Sequence, residues 1–315
     1  MPSVQRLEAN HKPSREIQDP VSVRQLFNRY QNFEELTYGQ TVMIEHLTSP
    51  QERVLFNDKH NTEVNRMWVK LGPGRREYWG PLVSKFTTFR PDVIRLSRLK
   101  NRDTFIDVGA GMTMADQVVA LGLTGVKYFA FDQSDDARNA ALPVLKRLVE
   151  GGHLGDAEYL HHDFNSGTMP ELPVKDEGER VAASVFALSY GAADIMLGVV
   201  SDALYKARCD RFLMVCLNPE HFNAPEMLKE MLKNAEAMSP EQQRALAPLI
   251  ANLRKGSPGY IWMNDFADFC IRDNAVRSLP DMVSYLSQVG NVEQPVLFGS
   301  GTGQSVGLMV SPFDK

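Results

Sequence analysis

Two glycines and three acids, set at regular intervals, carry most of the chemistry that this sequence suggests. The stretch Phe105-Ile-Asp-Val-Gly-Ala-Gly-Met-Thr-Met-Ala115 puts Gly109 and Gly111 where an apolar run gives way to a helical pattern. Lacking Cβ atoms, they let the backbone turn tightly and approach a ligand closely, while free N–H groups at the following helix start suit a carboxylate or phosphate. Asp107, one step before the turn, can accept a hydrogen bond from an ammonium group or a backbone amide. The next apolar run, Tyr128-Phe-Ala-Phe-Asp132, ends in an acid 25 residues after Asp107, with Gln133 beside it and Ser134 as a helix cap. A carboxylate there can take both hydroxyls of a ribose. Leu160-His-His-Asp-Phe164 ends in a third acid; Asp163 can accept from an adenine amino group while Phe164 packs on the ring.

These side chains act together only if their segments are neighbouring strands. From Asp103 onward, short apolar runs alternate with amphipathic helices, the pattern of a sheet buried on both faces. The expected strands are 104–108, 128–131, 158–162, 181–188, 211–217, 295–299 and 305–311. The intervening helices are long enough for right-handed crossovers, so the early strands should be parallel. Only Gly299-Ser-Gly-Thr-Gly-Gln304 separates the last two, so the seventh must return antiparallel beside the sixth. The fold expected is therefore α/β: a seven-stranded, mostly parallel sheet with an antiparallel last strand and helices on both faces. Residues 1–20 read as a flexible arm and 21–102 as a helical extension, interrupted by a turn-forming Leu71-Gly-Pro-Gly-Arg-Arg76. Residues 103–315 form the sheet domain, with a helical insertion at 221–278. Asn223 caps one helix of that insertion, and Ser239 with Gln242 forms a capping box at the next.

With its acid-x-Gly-x-Gly turn, the acid ending the second strand and the terminal hairpin, the chain resembles the class I, Rossmann-like S-adenosylmethionine-dependent methyltransferase superfamily over residues 103–219 and 280–313. The resemblance implies S-adenosylmethionine as cofactor. Asp107, Gly109 and Gly111 would lie at its methionine end, Asp132 at the ribose and Asp163 with Phe164 at the adenine, with Gln133 among the cofactor contacts. Thr113 stands where many members carry a third glycine. A nicotinamide oxidoreductase is disfavoured, since Met114 occupies the third glycine position of Gly-x-Gly-x-x-Gly.

Methyl transfer chiefly requires alignment of acceptor and donor and exclusion of water. Ser189 and Tyr190, after the fourth strand, can hydrogen-bond an acceptor or the sulfonium side of the cofactor, or simply pack. The segment is not the Asn-Pro-Pro-Tyr type that grips planar amino groups. His221 is the expected general base for a hydroxyl acceptor, with a surface histidine as the alternative. Arg76, Tyr78 and Trp79 are candidate acceptor contacts. The insertion reads as a lid or as the face of a homodimer.

A net charge of −5 argues against indiscriminate nucleic-acid binding. The segment Lys59–Arg102 nevertheless carries eleven Lys and Arg against three acids. That leaves three readings: a small-molecule methyltransferase, an RNA or protein methyltransferase docking through the basic segment, and a catalytically silent binding module. No run of about 18 apolar residues suggests a membrane span and the N-terminus lacks an apolar signal centre, so a cytoplasmic protein is expected. Cys209, Cys216 and Cys270 lack CxxC spacing and are expected to be buried thiols, and no metal is implied.

Overall fold

The computed structural model describes residues 5–6, 71, 74–86, 89–111, 113–172, 178–191, 193–271, 277–298 and 304–313. The helix expected around Val23–Tyr30 and the first part of the basic segment lie outside the described residues. A two-residue strand, β1 (Gln5–Arg6), comes first. Arg75–Trp79 then forms a π-helical turn that runs into α1 (Gly80–Phe86), followed by α2 (Phe89–Ser97). Arg75 and Arg76, expected in a turn, are thus helical. Leu82, Val83, Phe86, Val93 and Ile94 recur at three- and four-residue spacing, and all are buried.

Five strands run parallel: β2 (Thr104–Val108), β3 (Lys127–Asp132), β4 (Asp156–His161), β5 (Arg180–Val185) and β6 (Arg211–Leu217). After a two-residue β7 (Asn291–Val292) come β8 (Val296–Phe298) and β9 (Ser305–Ser311), and β9 lies antiparallel to both β6 and β8. All seven expected strands are present, and the two-residue additions sit at the margins: β1 pairs with β8, and β7 with the end of β9. The order is β4-β3-β2-β5-β6-β9-β8-β1. The fourth strand stops at Val185, three residues short of expectation, because Phe186 adopts a left-handed φ of 52° that an extended strand does not permit.

Two helical layers cover the sheet. The linkers α3 (Ala115–Ala120) and α4 (Asp135–Glu150) share one apolar layer with Phe105, Tyr128 and Ala130. On the other face, α5 (Ala193–Ser201) packs among Ile106, Phe129 and Phe131. Connections from β2 and β5 therefore leave to opposite faces, which makes the β2/β5 border the topological switch point, where open α/β sheets bind ligands.

The insertion forms α6 (Ala224–Glu236), α7 (Pro240–Ala245), α8 (Ala247–Ala251) and α9 (Pro258–Ile271). Both expected caps are present: Asn223 accepts from the Glu226 amide, and Ser239 with Gln242 completes a capping box. The helix α10 (Leu279–Leu286) then leads back to the sheet. The helical extension and the insertion share one aromatic seam. Trp262 donates through Nε1 to the Leu71 carbonyl at 3.0 Å and stacks on Phe266 with centroids 5.2 Å apart. Gly74 lies so close to the indole that a Cβ there would fall 1.9 Å from Nε1.

Folding also divides the basic segment. Arg98 and Lys100 precede β2, at the amino end of the strands; a five-residue strand puts them about 16 Å from the carboxyl edge. There Arg98 pairs with Glu293, and Glu179 takes both Lys100 and Arg211 at 3.2 and 2.7 Å. Those hydrogen bonds, Arg211 foremost, hold the Glu179 carboxyl below its usual range. No helix among the described residues is long and apolar enough to cross a membrane. The three cysteines are buried.

Because the seam joins the extension to the insertion, Trp262→Ala should cost about 3–5 kcal/mol, read as a fall in the urea midpoint.

Candidate functional site

The glycine turn is built from below by β3 and β4. Gly111 donates its N–H to Asp132 Oδ2 at 2.9 Å, and its carbonyl accepts from the Tyr159 hydroxyl at 2.8 Å. Asp132 Oδ1 accepts from the Ser134 amide at 2.8 Å, so the carboxylate spans the turn and the start of α4. It is only half-buried, leaving lone pairs on both oxygens toward the carboxyl edge of the sheet.

The two glycines serve different purposes. Gly109, at φ 70°, faces Ala187 in the segment after β5, and a Cβ there would fall 2.4 Å from the Ala187 Cβ. Gly109 therefore lets two strand-end loops touch at the switch point. Gly111, at φ 52°, has none of the described residues within 4 Å of where its Cβ would stand, so its side is open among them. Thr113, at the position of a third glycine, also takes a left-handed φ of 63°. Such a conformation costs a residue with a Cβ about 1–2 kcal/mol. Arg90 offsets it: its guanidinium binds the Thr113 carbonyl and the Asp116 carboxylate, the latter at 3.0 Å.

Five of the amides from the glycine turn to the helix start, besides that of Gly111, are already bonded within the protein. Gly109 and Ala110 both donate to the Phe131 carbonyl, at 2.9 and 3.0 Å, and Thr113 donates to the Ala110 carbonyl at 2.9 Å. Met114 donates to the Tyr128 hydroxyl at 2.8 Å, and Ala115 to Thr113 Oγ1 at 3.1 Å. The end of β3, the Ala110 carbonyl and the Tyr128 and Thr113 hydroxyls already take up these five amides, so they are not free to meet a pyrophosphate.

Asp107 lies beneath the turn rather than at its surface. It is 2% exposed and accepts from the Tyr128 hydroxyl. Burial drives its carboxyl up to about 7, against the downward pull of the Tyr128 hydrogen bond and the Arg90 charge. The residue thus supports the turn through Tyr128 and Met114.

The other expected residues lie around the same edge. Gln133 and Asp163 are exposed; Phe164 begins a 3-10 turn after β4, half-buried and 4.6 Å from the His162 ring. His161 and His162 have separate neighbours, Asp135 and the Thr168 carbonyl, at 3.6 and 2.9 Å. Ser189 and Tyr190 are buried in a 3-10 turn, Leu188–Tyr190. Ser184 Oγ accepts from Leu188 N at 3.1 Å, and Arg277 donates to the Gly191 carbonyl at 2.8 Å. Trp79 meets Phe186 edge-on at 5.8 Å and Phe266 at 4.8 Å, so the helical extension reaches the segment after β5. Tyr78 packs 6.1 Å from Trp262, and the Arg76 side chain lies outside what is described. His221 is exposed, in a turn whose amide donates to the Asn218 carbonyl at 3.0 Å. Among the described residues, no group of three or more His, Cys, Asp or Glu could hold a metal ion.

Arg90, Tyr128, Tyr159 and Gln304 were not singled out by the sequence. Arg90 had been counted as part of a basic surface, and Tyr128 was visible only as an apolar strand position.

No protein-family model and no curated protein matches the chain. Solved structures similar to it include a SAM-dependent methyltransferase from Aquifex aeolicus, at 14% identity over 73% of this chain and 92% of that one, with a TM-score of 0.44. Another is magnesium protoporphyrin IX methyltransferase from Synechocystis with bound SAH, at 11% identity, 91% and 94% coverage and a TM-score of 0.39. A third is the small RNA methyltransferase HEN1, at 12% identity and a TM-score of 0.44, where the match covers 70% of this chain and only 24% of that one. These scores do not bear on chemistry, which rests on the side chains.

Asp107 makes a titration testable. Its folded-state value, about 7, exceeds the usual carboxylate value of about 4, so between these the folded protein holds a proton that the unfolded chain lacks. Its contribution to stability is full below about pH 4 and is lost as pH rises through about 7. From pH 5 to pH 8, wild type should lose about 3 kcal/mol more than Asp107→Asn in urea unfolding.

Proposed function

We propose that the protein binds S-adenosylmethionine along the carboxyl ends of β2, β3 and β4 and transfers its methyl group to a small-molecule acceptor. The observation that carries this reading is the half-buried Asp132, fixed by the Gly111 and Ser134 amides beside open space at Gly111. A carboxylate held on one side and open on the other suits the paired hydroxyls of a ribose. The internally satisfied turn amides support a nucleoside without phosphates over a dinucleotide.

When bound, the cofactor would supply an electrophilic methyl group to the acceptor's lone pair. Asp132 and Gln133 would hold the ribose, Asp163 and Phe164 the adenine, and the open side of Gly111 would admit the amino-acid tail. Asp107 acts from beneath by fixing the turn. Tyr190 aligns the acceptor, and His221, beyond β6 at the same edge, receives the proton of a hydroxyl acceptor. Trp79 and the insertion helices exclude water from the edge, which strengthens the polar contacts inside.

A small molecule is favoured over RNA or protein by the placement of the charges. Of the basic segment, Arg98 and Lys100 lie at the amino end of the sheet, away from the proposed site, and are paired with Glu293 and Glu179.

Calorimetric titration with S-adenosylmethionine should show Asp132→Ala weakening binding by about 1.5–3 kcal/mol. Gly111→Ala should cost only about 1 kcal/mol of stability yet reduce the same affinity at least tenfold, because its Cβ would enter the ligand's space. Wild-type affinity in both variants refutes the assignment. For His221→Ala, the acidic limb of the pH–rate profile should disappear; an unchanged profile removes the base.

A further inference from the structure

We infer that the acceptor is a small uncharged molecule with hydrogen-bonding groups at two ends, held by Ser189 after β5 and Gln304 before β9; this rests on the methyl-transfer reading above. Ser189 is 1% exposed and its Oγ has no hydrogen-bond partner among the described residues. Gln304 is 4% exposed, and neither its Oε1 nor its Nε2 has one. Each buried polar group left unpaired costs about 1–3 kcal/mol, and folded proteins hold few of them.

Neither side chain is needed to shape its own backbone. The turn bearing Ser189 is held by Ser184 and Arg277, and Gln304 is anchored through its carbonyl, which accepts from Asn218 N at 2.8 Å. Alanine at one position and an apolar side chain of similar shape at the other would serve the fold better. Two buried polar side chains that the described residues leave unmatched can be matched by a molecule that arrives from outside.

Their placement fits an acceptor rather than the cofactor. The strands β5, β6 and β9 are consecutive neighbours, and Leu217 at the end of β6 pairs with Ser305. Ser189 and Gln304 thus flank the carboxyl end of β6, about two strand spacings or 10 Å apart. That is too far for them to bond each other and suits the two ends of one small molecule. It is also on the β5 side of the switch point, opposite the nucleoside side at β3 and β4.

The chemistry of the pair sets the class. A hydroxyl and a carboxamide both donate and accept, and neither neutralises a charge. A charged acceptor sealed against them would retain a desolvation cost of several kcal/mol. The Arg277 guanidinium donates to the Gly191 carbonyl and stands over the Tyr285 ring at 5.4 Å, in the layer on the far face from Trp79.

The test uses the full chain with Ser189→Ala and Gln304→Met. Three readouts are taken: the urea midpoint of the ligand-free protein, the Kd for S-adenosylhomocysteine, and transfer of labelled methyl from S-adenosylmethionine. The transfer panel comprises neutral phenols, alcohols and amides; carboxylates, phosphates and amines; and total RNA and mixed cell protein. Both variants should match or exceed the wild-type midpoint and keep Kd within twofold. Wild type should label neutral small molecules, with kcat/KM at least tenfold lower in each variant. A lowered midpoint would reveal an internal partner and overturn the inference. So would label confined to charged compounds, RNA or protein, no label in any member, or unchanged kcat/KM. Failure of wild type to bind S-adenosylhomocysteine would instead overturn methyl transfer itself.

Discussion

Both polar backbone atoms of Gly111 are claimed by side chains from different strands, Asp132 on β3 for the N–H and Tyr159 on β4 for the carbonyl. That double hold fixes the height of the glycine turn above the sheet, and the remaining geometry follows from it. With the turn fixed, Gly109 meets Ala187 across the switch point, and Thr113 is carried into a left-handed conformation that Arg90 secures. The same hold determines which side of Asp132 is used inside the protein and which side remains open.

A second constraint comes from beneath. Asp107 and Tyr128 face the same layer on adjacent strands, in a diagonal relation set by the pairing of Phe105 with Tyr128 and Asp107 with Ala130. Through Tyr128 the buried carboxyl reaches the Met114 amide, so the turn is fastened at its far end without a ligand. A turn held in this way by the chain's own groups would lower the ordering cost for a ligand received there.

The parts of this arrangement that depend on periodicity were legible in the sequence. Alternating apolar runs gave the strands, the length of the linkers gave their direction, and Ser239 with Gln242 gave a helix start. What could not be read was any contact between distant segments. Thr113 looked like a defect in a glycine pattern because the Arg90 that stabilises it lies 23 residues earlier. Asp107 looked like a ligand contact because nothing local records that Tyr128 lies over it. Phe186 looked like strand because its side chain favours strands, whereas the close approach of Ala187 to Gly109 demands a turn there. Gln304 carries no signal at all until its neighbours are known to leave its amide unmatched.

Trp262 reaches back 191 residues to bond Leu71. A contact of that separation forms late, after the intervening sheet has assembled, since little of its reward is available while the chain between is unordered. The aromatic cover accordingly relies on an ordered sheet beneath it. Local opening of such a cover can leave the parallel strands paired, since the contacts that close it are not the ones that order the sheet.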